Sequence, residues 1–391
     1  MIRVKTSGSR WLPLVLLNSL LIQAGIYVVR PIITYKSVDL GADAALVGLI
    51  GATFALAPLI LAIQVGRFVD KGRAGLAMML GSLLLVLTTF ALLFINSIPL
   101  LMLAMPSLGM GHLLIMVGGQ TLIANRSSAS QYEKNFGLLT FYASVGHAIG
   151  PLAGGWLADS GEVNVNANAA FLFALGLFVA AVIGTIALST RKENPKPKED
   201  IERAKVREVL AVPTFKSAMF VASATTAVVD VVLIFLPLYG REIGLSVTDI
   251  GILLAIRSIF SLAVRLVLGQ ISTKLGLRRL LSWGSIVTMV SMVALGLTAN
   301  FWLIALIMAI SGFTMGVGQP ATMAWVSRIS SPDSRGLAIA VRLSANRLGQ
   351  VTMPALAGVV AGASTAGVFY MLAALQAASI VATVTSLKKG E

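Results

Sequence analysis

Residues 137–158 read GLLTFYASVGHAIGPLAGGWLA. No Lys, Arg, Asp or Glu interrupts them. At 1.5 Å per residue a helix of this length covers about 33 Å, enough to cross the hydrocarbon core of a bilayer. The run is continuous rather than alternating, so it reads as a helix and not as a barrel strand. Its glycines stand at 146, 150, 154 and 155, around Pro151. Small residues at such spacing let membrane helices approach closely. Proline removes one intrahelical hydrogen bond and bends the helix.

Runs of this kind recur along the chain. The sequence predicts spans at 12–34, 45–66, 76–95, 99–123, 137–158, 168–189, 215–238, 248–270, 280–298, 301–326, 336–361 and 366–386. The first run is too long for a cleaved signal peptide and lacks a small-residue cleavage site. Of the 391 residues, 57% are hydrophobic and 12% charged. Soluble domains carry about 45–50% apolar and about 25% charged residues. So little charge cannot cover a water-facing surface, which excludes a soluble enzyme, a disordered scaffold and a secreted disulfide protein. There is no Cys, hence no disulfide framework, thiolate nucleophile or Cys-ligated metal site. His112 and His147 are the only two histidines, too few for a multi-His metal site. No nucleophile–base pair or phosphate-binding loop is present, so no enzyme activity, metal or cofactor is expected.

The 30 Lys and Arg residues set the topology. An even number of spans puts both termini on one face, and 23 of the 30 fall there, two (Lys36 and Arg241) on the other, and five inside spans. Positive loops stay cytoplasmic, so both termini are expected in the cytoplasm. The net charge of +14 is then a topology signal and a contact for anionic lipid, not a nucleic-acid stripe.

The longest polar segment, TRKENPKPKEDIERAKVRE at 190–208, is expected to be a solvated linker with a short amphipathic helix. It divides the chain into a six-helix half at 1–190, a linker at 191–214 and a second six-helix half at 215–391. Gly48, Gly66, Gly146, Pro151 and Gly155 recur 203 positions later as Gly251, Gly269, Gly349, Pro354 and Gly358. A parallel repeat of two six-helix units is a transporter architecture, with substrate bound near the midplane between the halves.

Two motifs carry a resemblance. The loop after the second span reads Gly66-Arg-Phe-Val-Asp70-Lys-Gly-Arg73, and its repeat reads Gly269-Gln-Ile-Ser-Thr-Lys274-Leu-Gly276-Leu-Arg278-Arg279. The pair resembles the Gly-x-x-x-Asp-Arg-x-Gly-Arg-Arg loop of the major facilitator superfamily. The first copy lacks one residue, and the second has Thr273 for the acid. Glycine here permits close approach and a tight turn. Asp70 suits a helix N-terminus, where the dipole is positive. The resemblance implies that this helix is the eleventh span, near Arg335 and Arg342. In the fifth span, Gly146, Gly150, Pro151, Gly154 and Gly155 match every fixed position of the Gly-x-x-x-Gly-Pro-x-x-Gly-Gly motif, so the chain resembles the drug/metabolite:proton antiporters of that superfamily. Many relatives carry an arginine in the fourth span; here the segment has His112 instead. The resemblance implies an all-α integral membrane protein of twelve helices, monomeric, in a bacterial-type inner membrane.

Ionisable groups inside a span are costly and mark function. Asp230 is the only acid well within a span. It is a candidate proton carrier, or a partner for Arg30 at similar depth in the first span. Arg257 and Arg347 lie near mid-depth and are expected to face the cavity or pair with Asp230. Arg265 and Arg342 lie near span ends and are expected to snorkel. Five basic groups against one acid point toward a carboxylate-bearing substrate. His112 and His147 are candidate proton shuttles or helix–helix hydrogen-bonders. Gln120, Gln319 and Asn346, with Asn18, Gln23 and Gln350, are candidate cavity polar groups. Phe141, Tyr142, Phe235 and Tyr239 are candidate apolar walls, with lipid or core packing the expected fate of most aromatics here. The expected function is proton-coupled export of a small amphiphilic drug or metabolite by alternating access. Proton-coupled uptake of a small organic anion, or lipid translocation on the same fold, are the alternatives.

Overall fold

The computed structural model describes residues 11–128, 130–159, 165–189, 206–212, 214–331 and 334–387. Both ends of the chain and most of the expected 191–214 linker lie outside these residues. All regular structure among them is helical. In order the helices are α1 (Trp11–Asp39), α2 (Ala44–Thr53), α3 (Leu56–Phe68), a π-helical turn (Val69–Arg73), α4 (Ala74–Leu92), α5 (Ile98–Arg126), α6 (Tyr132–Ala158), α7 (Ala167–Ser189), α8 (Val206–Ala211), α9 (Phe215–Glu242), α10 (Val247–Gly296), α11 (Phe301–Ile329), α12 (Arg335–Ala361) and α13 (Thr365–Ser386).

Nine helical stretches among the described residues are long and apolar enough to cross a membrane. Two of them, Ala44–Leu92 and Val247–Gly296, have 49 and 50 residues. Each would extend about 75 Å if straight, so each crosses twice. With α12, whose three arginines lower its hydropathy, the bundle has twelve crossings in two six-helix halves. The helices outrun the predicted spans by a few residues at several ends.

Glycine reverses the chain inside both double-length stretches. Gly72 has φ +75° and Gly276 has φ +73°, the left-handed region that only glycine enters without strain. They occupy corresponding places in the two copies of the loop motif. The second span also breaks at Phe54–Ala55. Pro58 has no N–H to donate to the Phe54 carbonyl, and the freed oxygen packs against Gly109 of α5.

Within the first half α1 packs on α6 and α7, and α4 on α5 and α7. Within the second, α10 packs on α11 and α13, and α9 on α12 and α13. The halves meet through α6 with α10, α2 with α12, and α1 with α9. The repeated glycines form two of these seams. A Cβ at Gly48 would stand 2.7 Å from the Gly358 Cα, and one at Gly251 would stand 3.2 Å from the Gly155 Cα. Exchanging the halves by the 203-residue offset, Gly48 to Gly251 and Gly358 to Gly155, turns one seam into the other, so the contact is a pseudo-two-fold clamp.

The two glycine seams lie toward the face opposite the termini. There Arg241 Nη1 meets Asp39 Oδ1 at 3.0 Å, and Asp159 Oδ2 accepts from the Thr248 N–H at 3.3 Å. Asp159 thus sits at the N-terminus of α10, already closed by the Ser246–Asp249 capping box. Toward the terminal face the halves part. The second half keeps its own apolar core there, around Phe215, Leu281, Trp325 and Val326, separate from the core that bridges the halves.

Candidate functional site: a polar cavity between the halves

A cavity of about 370 Å³ lies between α1, α5 and α6 on one side and α9, α10, α11 and α12 on the other. Gln120 and Thr140, on its terminal-face side, are exposed. It is therefore open toward the termini and sealed by the glycine seams on the other face.

Asp230 lines the cavity and is 5% exposed. Its Oδ1 accepts from Arg30 Nη1 at 2.5 Å, and its Oδ2 has no partner among the described residues. This ion pair joins α1 to α9, the first helices of the two halves. One turn further, Thr34 donates to the Ile234 carbonyl at 3.0 Å. The Arg30 guanidinium lies 4.6 Å from the centre of the Phe54 ring, so the break in the second span supplies an aromatic floor for the pair.

The other expected residues divide. Arg257, His147, Gln120 and Gln319 line the cavity. His147 stacks on Tyr27 with ring centres 4.0 Å apart. Gln319 Nε2 donates to Thr226 Oγ1 at 3.0 Å. Arg347 stands behind the wall and donates to Gln350 Oε1 at 2.8 Å. His112 also stands behind it, its Nε2 3.2 Å from Gln23 Oε1. Asn346 is buried away from the cavity, its Oδ1 unpartnered. Arg257 is 3% exposed and, among the described residues, has neither a hydrogen bond nor an ion pair.

Several expectations are corrected. Arg265 does not snorkel to a span end: it lines the cavity and donates to Ser144 Oγ across the gap between the halves at 2.8 Å. Arg342 is 2% exposed and donates to the Gln319 carbonyl at 3.0 Å and Thr322 Oγ1 at 2.9 Å. None of Phe141, Tyr142, Phe235 and Tyr239 lines the cavity, in line with the packing role expected for most of them. Phe235 is fully buried, and Tyr239 donates to the Thr298 carbonyl. Tyr27 and Phe136 take that place. Asn18 donates to the Ala181 carbonyl within the first half.

In the span-five motif, Gly146, Gly150 and Gly154 pack on α1, while Gly155 packs on α10 of the other half. Pro151 presents its carbonyl to Gly251. In the loop motif Gly66 and Gly269 face open space, so they mediate no close approach here. The turns are made by Gly72 and Gly276. Asp70 is exposed and, among the described residues, has no partner. Among the described residues it has no contact with α12, where Arg342 points to α11; the side chain of Arg335, the other expected neighbour, lies outside them. Arg73 lies over the Phe68 ring at 5.3 Å. Arg278 donates to the Val384 carbonyl at 3.3 Å, and Lys274 is exposed.

The sequence profile of the Major Facilitator Superfamily matches residues 15–246 and again 217–390. This chain belongs to the major facilitator superfamily. It is 25% identical over 374 residues to quinolone resistance protein NorA of Staphylococcus aureus strain MRSA252, covering 93% of each chain. It is 22% identical over 377 residues to multidrug resistance protein 1 of Bacillus subtilis strain 168, covering 95% of each. The fold matches a mutant of nucleoside transporter NupG with a TM-score of 0.83 at 13% identity, over 97% of this chain and 100% of that one. A D-xylose-proton symporter gives 0.78 at 14% identity, over 96% of each. The superfamily makes the chain a multi-pass membrane transporter of a small-molecule substrate.

Proposed function

We propose that this transporter exports small amphiphilic drugs or metabolites across a bacterial inner membrane, in exchange for protons, with both termini in the cytoplasm. The observation that carries the reading is the Arg30–Asp230 pair. The one acid deep in the bundle ties the two halves together and lines the cavity at the same time. The span-five glycine–proline motif and relatives named for quinolone and multidrug resistance support the direction. The charge bias of the loops supports the orientation.

In this state the cavity faces the cytoplasm and Asp230 is paired. Substrate enters from that side, and the halves rock about the α1–α9 contact until the glycine seams part. Substrate then leaves outward, and Asp230 accepts a proton from outside. The neutral acid no longer holds Arg30 as an ion pair, so the return stroke follows. Inside, the proton is lost and the pair re-forms. A buried pair that loses one charge gives up on the order of 3–5 kcal/mol, ample to bias two conformations.

The test is norfloxacin and ethidium accumulation in efflux-deficient bacteria. Wild type, Asp230→Asn and empty vector are compared with and without a protonophore. Lower accumulation in wild type, abolished both by protonophore and by Asp230→Asn, is expected. Equal accumulation in all three with expression verified overturns drug export, and export that persists in Asp230→Asn removes Asp230 from the coupling path.

A further inference from the structure

The cavity's charges do not balance. Asp230 is engaged by Arg30, which leaves Arg257 and Arg265 without a counter-charge among the described residues. Arg257 is 3% exposed and its Nε has no partner; Arg265 donates only to Ser144, and its Nε is likewise unpartnered. A buried guanidinium without acceptors is strongly destabilising. Arg257, Ser261 and Arg265 follow one another at i, i+4 and i+8, so they form one stripe on α10, all facing the cavity. Ser261 has no hydrogen bond among the described residues, while the hydroxyl of neighbouring Ser258 is used on the Leu254 carbonyl. The backbone beneath the stripe is held tightly. A Cβ at Gly312 would stand 2.8 Å from the Arg257 Cα, and one at Gly316 would stand 2.9 Å from the Ser261 Cα. These two glycines of α11, themselves one turn apart, seat the stripe on a rigid helix pair.

We propose that Arg257, Ser261 and Arg265 form an anion-recognition stripe that selects substrates carrying a carboxylate on an apolar body. Two guanidinium forks flank a hydroxyl, a donor set that suits the two oxygens of a carboxylate. Apolar walls at Met116, Leu139, Val229 and Met315 would take the rest of the molecule. The proposal rests on the reading of this cavity as the export site, and it names the chemical class that site takes. The charge of the empty stripe lowers the stability of the unliganded protein, a cost a binding site accepts and a packing device would not.

The experiment measures binding and melting of the purified full-length protein in lipid nanodiscs, with 2-naphthoate and its neutral isostere 2-naphthamide as probes. Wild type is expected to bind the carboxylate about 10- to 100-fold more tightly than the amide, the range set by losing one or two charge-assisted hydrogen bonds. Arg257→Gln is expected to lose that preference, yet to melt at a higher temperature than wild type without ligand. A purely structural arginine would move the melting temperature the other way. Equal affinity for the two probes, no binding of either, or a preference retained in Arg257→Gln would each overturn the stripe. Carboxylate preference without norfloxacin export in cells leaves the stripe standing and rejects drug export. Export without carboxylate preference does the reverse.

Discussion

Phe54 shows how one residue acquires a role through its neighbours. Pro58 frees its carbonyl, Gly109 receives that carbonyl, and the resulting break turns the ring beneath the Arg30 guanidinium. The ring shields the ion pair from water and adds a cation–π attraction of about 0.5–2 kcal/mol. Phe54→Leu should therefore lower the melting temperature in wild type but have little effect in an Arg30→Met background. A double-mutant cycle by thermal melting measures this coupling, and equal effects in both backgrounds would reject it. The pairing of Asp230 was legible in the sequence, because a lone acid among membrane arginines has few partners and Arg30 lies at matching depth. Phe54 was not legible: its role depends on a kink and on a glycine 55 positions away, and neither enters a hydropathy pattern. Arg265 was misjudged for a related reason. Its position along α10 allows snorkelling, and only the neighbouring helix, with Ser144, shows that it turns into the cavity.

At the scale of the element, α6 presents one edge to α1 and the next to α10 of the other half. Gly155 belongs to the second edge, where a Cβ would stand 2.7 Å from the Val247 carbonyl and 3.0 Å from the Gly251 Cα. Backbone atoms on both sides cannot yield, so Gly155→Val should wedge the sealed face open. Paired spin labels across that face should report a longer distance than in wild type, with the population shifted toward the outward-open state. Gly176→Ala in α7, where a Cβ meets nothing within 4 Å, is the control and should leave the distance unchanged. The span positions and the repeat were legible because apolar length and an offset of 203 survive in the sequence. What the offset meant was not: two of the repeated glycine pairs, Gly48/Gly251 and Gly155/Gly358, touch each other's counterparts across the halves. The acid-at-a-helix-terminus contact that the loop motif suggested for Asp70 occurs instead at Asp159 and α10, on the sealed face. Asp70 has no partner among the described residues, which fits a group used when the terminal face closes. Asp70→Asn should leave the melting temperature of the present state unchanged while slowing transport in proteoliposomes; a normal rate would assign Asp70 no part in the cycle.

For the whole molecule, the central requirement is that the two halves separate on the face where they now touch. The contacts there are consistent with reversible opening. The Asp39–Arg241 pair is about one-third exposed on each side, so it contributes at most about 1 kcal/mol. The glycine seams rely on close backbone packing rather than on strong hydrogen bonds. Asp159 and Thr248 sit across one seam, a carboxylate oxygen 3.3 Å from a backbone nitrogen, so a short bis-methanethiosulfonate linker can join thiols placed at the two positions. The chain has no cysteine of its own, so Asp159→Cys with Thr248→Cys introduces the only two thiols. The thiol-reactive linker should stop export completely, and a reductant, which cleaves its disulfides, should restore it, while each single variant remains active under both conditions. Substrate binding from the terminal face should survive in the cross-linked form, because the cavity already opens that way. If cross-linked protein still transports, the seam is not a moving boundary, and access would have to alternate through rearrangement within one half.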